Sequence, residues 1–261
     1  VKEDKELIEE LTQGNFICSR EPALDLYTRQ NYLDNGLRGG FPVTLKGDNS
    51  HSAFYMYSRK HGDLERDYNH FSLSPTKYSQ GNANYRDINQ NRRNDLLFNP
   101  DVRDDNLVHF YNLIQLDGFN PLVIKEVYFS PDDQEKLKSL LKHSLETEHV
   151  DAASDYLSAP FTPGLLMAWL QDRKIKLKTA SEIFLADLLG ICTRITDTDH
   201  GEGFWSDHWT YNLDLLENYL ALYPENEYSL LFEKKDFTFY DNAHRVQPRD
   251  EARQHDADDE A

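Results

Sequence analysis

From Gly81 to Asp95 the chain reads Gly-Asn-Ala-Asn-Tyr-Arg-Asp-Ile-Asn-Gln-Asn-Arg-Arg-Asn-Asp, with almost nothing apolar to bury. Adjacent Arg86 and Asp87 can pair with each other and stay rigid. Asn89, Gln90 and the neighbouring carboxamides each carry a donor and an acceptor, which matches the alternating hydroxyls of a sugar. Tyr85 offers a stacking face. The same composition also describes a solvated, capped loop leading into a helix, and the residues alone leave both readings open.

The run Tyr85-Arg86-Asp87-Ile88-Asn89-Gln90 resembles the Arg-Asp-x-Asn-Gln segment of the cellobiose phosphorylase family, inverting enzymes that split a β-linked disaccharide with inorganic phosphate. The resemblance implies that Arg86 and Asp87 hold the sugar on the non-reducing side of the cleaved bond, with Tyr85, Asn89 and Gln90 beside them. Phe54-Tyr55-Met56-Tyr57-Ser58-Arg59 and Arg38-Gly39-Gly40-Phe41-Pro42 fit the same neighbourhood more loosely, which puts Arg38 near the substrate. The chain departs from the family at Asn91, where a second Asp is usual. The specific part of the resemblance covers about six residues, Tyr85 to Gln90.

A second constellation, Asp197-Thr198-Asp199-His200-Gly201-Glu202-Gly203-Phe204-Trp205-Ser206-Asp207-His208-Trp209, gathers carboxylates, imidazoles and indoles just ahead of an expected helix. In the family the general acid follows the Arg-Asp segment at a comparable interval and sits beside Trp. The resemblance therefore matches Asp207 to the proton donor, with Glu202 as the alternative and Trp205 as a substrate contact. If Ser206 caps the helix, Asp207 lies in its first turn, where the dipole favours a charged carboxylate and opposes proton donation. Glu202 in its Gly-flanked loop escapes that objection, and Phe204 and Trp205 can shield it. Phosphate is already a good nucleophile, so a phosphorylase needs one acid and no base, whereas an inverting hydrolase needs both. No cofactor is implied beyond inorganic phosphate as co-substrate. Arg92-Arg93 reads as an exposed basic pair. The acid and histidine spacing matches no compact metal loop, so no metal site is expected.

The whole composition narrows the partners. A formal charge of −18 repels nucleic acid and anionic membrane surfaces. Charged residues make up 28% of the chain, and no apolar run approaches the roughly 20 residues of a membrane helix. Aromatic residues reach 12%, which suits either a carbohydrate cleft or a large aromatic core. Cys18 and Cys192 lie far apart in sequence and are expected to be reduced, which together with a charged start, Val1-Lys2-Glu3-Asp4, suggests a cytoplasmic protein. That start also suggests processing or a piece of a longer polypeptide, whose further segments would then be partners in completing the site. Residues 249–261 are acidic, lack large apolar side chains and are expected to be a disordered tail behind a 1–248 catalytic-type domain.

Helical signals dominate after residue 100. Leu107, Phe110, Tyr111, Leu113 and Ile114 recur at helical spacing; Ser130-Pro131-Asp132-Asp133 reads as a helix start before Leu137, Leu140, Leu141 and Leu145. Thr162-Pro163 repeats that device, Thr179-Ala180-Ser181-Glu182 reads as a capping box, and a further helix runs from Ser206 to Pro224. Shorter helices are expected at Lys5 to Leu11 and Leu24 to Leu33, and an irregular stretch between Gly36 and Asn94. Tyr228 to Phe232 and Phe237 to Tyr240 read as a hairpin. The expected fold is mainly α: antiparallel helix pairs forming part of an (α/α)6 barrel, with a short C-terminal β-hairpin. The expected function is inverting phosphorolysis of a β-linked disaccharide or oligosaccharide to a sugar 1-phosphate. The alternatives are a non-catalytic sugar-binding or truncated relative, and a plain glycoside hydrolase.

Overall fold

A computed structural model describes residues 2–13, 16–48, 50–56, 76–200, 206–243, 245, 246 and 248, apart from the side chains of 2–4, 7, 10 and 35–38. The first half of the chain lays down helices α1 (Lys2–Thr12) and α2 (Pro22–Gly39), strands β1 (Phe41–Lys46), β2 (His51–Met56) and β3 (Ala83–Asn84), and helices α3 (Tyr85–Arg92), α4 (Asp95–Phe98) and α5 (Asp105–Tyr111). After the long strand β4 (Val123–Pro131) come α6 (Gln134–Ser144), α7 (Thr147–Tyr156), α8 (Pro163–Asp172) and α9 (Ser181–Leu189). Strand β5 (Cys192–Asp199) and α10 (His208–Leu222) follow.

This is a mixed α/β arrangement with two small antiparallel sheets, which corrects the expected mainly-α barrel. β1 pairs with β2 from Phe41↔Met56 to Lys46↔His51, and β4 is the middle strand of a sheet ordered β3-β4-β5. The strands were hidden for a physical reason. β2 is buried on both faces: Phe54 and Met56 enter one core while Ala53 and Tyr55 enter the other, so no apolar-polar alternation marks it. β5 has the opposite problem, since Thr196, Asp197, Thr198 and Asp199 read as a loop and pair all the same. The C-terminal hairpin is also corrected. Ser229–Glu233 forms a wide helical turn, and residues 234–240 lie outside any strand.

Several helix boundaries move with the sheets. Ser130-Pro131 ends β4 rather than starting α6, whose N-cap is Asp133, accepting from the amides of Glu135 at 2.9 Å and Lys136 at 3.1 Å. Thr162 caps α8 as its sequence promised, accepting from Leu165 N. Ala180, not Thr179, precedes α9, and no side chain caps it. α2 continues past its expected end at Leu33 to Gly39. Cys18 is exposed and Cys192 half-buried, and neither is in a disulfide.

One core joins β1, β2 and β4 to α6 through α9, with Leu45, Phe54, Leu137, Leu141, Phe184 and Leu185 at its centre. The other packs the opposite face of β2 against α3, α5 and α10 around Tyr85, Ile88, Phe110 and Leu215. Among the described residues no helix is long and apolar enough to cross a membrane. Leu141 is fully buried, whereas Leu165, on α8, is 46% exposed. Leu141→Ala is expected to cost about 2–5 kcal/mol in denaturant unfolding, and Leu165→Ala less than about 1 kcal/mol.

Candidate functional site

The Tyr85–Arg92 helix is anchored before it begins. Ala83 and Asn84 pair with Ile124 and Val123 of β4, the Tyr85 amide donates to Leu122 O at 2.9 Å, and the Asn84 side chain accepts from Arg86 N at 3.0 Å. Tyr85, Ile88, Asn89 and Arg92 recur at i, i+3, i+4 and i+7 and form the buried face. By the same spacing Asp87, Gln90, Asn91 and Asn94 share a second face that looks away from that core.

The buried face locks α3 against α10. Tyr85 Oη donates to Asn212 Oδ1 at 3.0 Å, and Asn89 Nδ2 donates to the same oxygen at 2.6 Å. The Tyr85 ring stacks on His208 at 5.3 Å between centroids, and further along Asn218 Nδ2 donates to Arg93 O at 2.8 Å. Contacts therefore advance in the same direction along both helices, which run parallel with their N-termini together. Arg86 comes within electrostatic range of His208, more than a hundred positions away in sequence, at the end of α10 that Asp207 precedes.

At that shared end Arg86 Nε pairs with Asp87 Oδ1 at 3.2 Å, with the Arg86 side chain 42% exposed and Asp87 13% exposed. Asp207 is exposed at the N-terminus of α10 and makes no capping bond; Ser206 does not start the helix, which begins at His208. His208 is buried, with Nδ1 2.5 Å from Asn120 Oδ1. Burial pushes its pKa down to about 4; Asp207 pulls it up, and the Arg86 charge pushes it down further. The imidazole is therefore neutral at pH 7, donating from Nδ1 to the Asn120 oxygen.

The other expected site residues separate. Tyr85 and Asn89 are both fully enclosed, so the expected stacking face and sugar amide are instead the link to α10. Gln90 is exposed. Glu202, Trp205 and the side chain of Arg38 lie outside the described residues. Asp197 is drawn off to Lys125 at 3.0 Å, and His200 is buried between the rings of Phe119 and Tyr240. Among the described residues no group of three or more His, Cys, Asp or Glu side chains is placed to hold a metal ion. The Arg92-Arg93 pair is not an exposed basic patch. Arg93 pairs with Asp214, and Arg92 is 2% exposed.

Arg92 leads to residues that sequence reasoning missed. Its guanidinium lies 3.6 Å from the Tyr55 ring centroid, and its Nε donates to Gly39 O at 2.5 Å. Asp95 lies close by, accepting from Asn106 Nδ2 at 3.4 Å. Burial pushes the Asp95 carboxyl up to about 7, against the lowering effects of Arg92, Tyr55 and Asn106. Nearby, and less buried, Arg194 forms a forked pair with Asp105 at 2.9 and 3.5 Å. Asp95 also borders a cleft of about 570 Å3 between α2, β1, α3 and α4, lined by Gln90, Asn91, Asn94, Asn99, Tyr32 and Phe41 among others. α3 corrects the irregular stretch expected between Gly36 and Asn94, and the spacing of Tyr85, Ile88 and Arg92 was the signal that could have found it. The raised proton affinity of Asp95 was not legible, because only its neighbours in space set it.

Two predictions follow from this geometry. Asn212→Ala removes the acceptor of the Asn89 amide and leaves the Tyr85 hydroxyl only its 3.3 Å contact with Phe110 O, and it is expected to cost about 1–3 kcal/mol in urea unfolding. His208 binds its proton more weakly folded than unfolded, so stability is lost as pH falls from about 6.5 to about 4. His208→Gln is expected to reduce that acid-induced loss by on the order of 1–3 kcal/mol, read from unfolding curves across that pH range.

In comparisons with known proteins, the chain matches no family model, no curated protein and no solved structure.

Proposed function

We propose that this chain is a carbohydrate-active protein that holds a sugar through Arg86 and Asp87 and transfers a glycosyl group from a β-linked oligosaccharide to inorganic phosphate. One observation carries the reading: the parallel packing of α3 and α10 brings the Arg86–Asp87 pair to the end of α10 that bears Asp207. A rigid, partly exposed ion pair suits bidentate contact with neighbouring hydroxyls, since the guanidinium keeps N–H donors and the carboxylate keeps acceptors after they pair. In the reaction, an acid protonates the glycosidic oxygen while a phosphate oxygen attacks the anomeric carbon from the opposite face. The anomeric bond to the leaving sugar breaks as the bond to phosphate forms, giving a sugar 1-phosphate. Two helix N-termini at one end favour the phosphate dianion, and Arg86 adds a positive charge.

The exposure of Asp207 favours a second reading, a sugar-binding protein without turnover. A proton donor at neutral pH needs burial or a like-charged neighbour, and an exposed residue at a helix start has no burial. Titrating cellobiose and chitobiose calorimetrically, with and without phosphate, while assaying for sugar 1-phosphate separates the two readings. Arg86→Ala and Asp87→Asn are each expected to weaken disaccharide binding at least about tenfold, a loss of about 1.4 kcal/mol, with the melting temperature nearly unchanged. Normal binding by either variant would sink the assignment.

A further inference from the structure

The cleft beside α3 has a chemical character of its own. Its volume of about 570 Å3 is that of a small-molecule site. Gln90, Asn91, Asn94 and Asn99 give it carboxamide walls, and none of the described residues lining it is Lys, Arg or His. Such a lining has little to offer a phosphate or a carboxylate and much to offer a neutral ligand with many hydroxyls. Aromatic faces complete it. Phe98 stands on the rim with 74% of its surface exposed, an arrangement that costs apolar hydration unless something stacks on it, and Tyr32 and Phe41 also border the space.

We infer that this cleft is a sugar subsite in which the Asp95 carboxyl hydrogen-bonds to an oxygen of the bound ligand. The inference rests on the carbohydrate reading above and extends it to a second surface of α3. Asp95 lines the cleft and is half-buried. Tyr32 of α2, Tyr55 of β2, Arg92 of α3 and Asn106 of α5 surround it, with Asp105 and Arg194 beyond them acting through Tyr55 and Arg92. Its proton affinity near neutrality, set chiefly by burial, leaves a substantial protonated fraction at pH 6 to 7. An uncharged ligand filling the cleft displaces the water that still solvates the carboxylate, so it binds the protonated form more tightly.

The test is calorimetric titration of the whole chain with cellobiose between pH 6 and 8. The native protein is expected to lose affinity on the order of tenfold over that range, as the protonated fraction falls. Asp95→Asn, which keeps an N–H donor and loses the ionisation, is expected to bind at pH 6 within about threefold of the native protein and to show a flat profile. Phe98→Ala, whose exposed ring the fold does not need, is expected to weaken binding at least about fivefold at pH 6. A flat native profile, or a fall that persists in Asp95→Asn, overturns the role of Asp95. Unchanged affinity in Phe98→Ala overturns the placement of the sugar in this cleft. Either result leaves the Arg86–Asp87 reading standing when Arg86→Ala still weakens binding at least about tenfold. Absence of cellobiose binding at every pH overturns both.

Discussion

Burial of the Arg92 guanidinium is the constraint from which the geometry around α3 follows. Taking a cation out of water costs several kcal/mol, and the protein offsets this with the Tyr55 ring at 3.6 Å, the Gly39 carbonyl at 2.5 Å and the negative charges of Asp95 and Asp105. Arg194 opposes it with a like charge but is itself held by Asp105; burial lowers its proton affinity, and the Asp105 pair more than restores it. The group is retained as a set, because removing one partner leaves a charge uncompensated, typically at about 3–5 kcal/mol.

Reaching Gly39 draws the end of α2 onto α3. A Cβ at position 39 would lie 2.9 Å from Asn91 Cβ and 3.4 Å from Arg92 Cγ, so the approach requires glycine. Gly40 then takes a φ of 85°, which glycine adopts without strain, and turns the chain into β1. The carboxamide-lined cleft is the space left between these elements. Asp95 is brought there by the same arrangement: its charged form answers the Arg92 charge, while burial works the other way and raises its proton affinity. Burial thus raises the proton affinity of Asp95, while the exposed Asp207 lacks such an environment.

A second fixed point is Asn212, whose Oδ1 accepts from both Tyr85 and Asn89 inside the core. Hydrogen bonds in a dry interior are directional and costly to leave unmade, so they set the register of α3 on α10 more sharply than apolar packing would. That register is what brings the Arg86 charge within range of His208, at the end of α10 that Asp207 precedes. The residues read from sequence as sugar contacts thus divide by helical phase: Tyr85 and Asn89 turn inward to hold α10, while Arg86, Asp87 and Gln90 remain available on the outside.

The sequence by itself determined most of the helices, because apolar spacing near 3.6 residues and caps such as Thr162 act locally. It also carried the period of α3 in Tyr85, Ile88 and Arg92, although the polar residues between them read as an irregular stretch. Tertiary structure alone decided the sheets. β2 is apolar on both sides because each side meets a different core, and β5 carries acids and threonines because much of one side is open to solvent. It alone decided the chemistry of the site as well. Burial and the proximity of Arg92, Tyr55 and Asn106 set the proton affinity of Asp95, and those neighbours come from β2, α3 and α5, segments whose meeting no local pattern encodes.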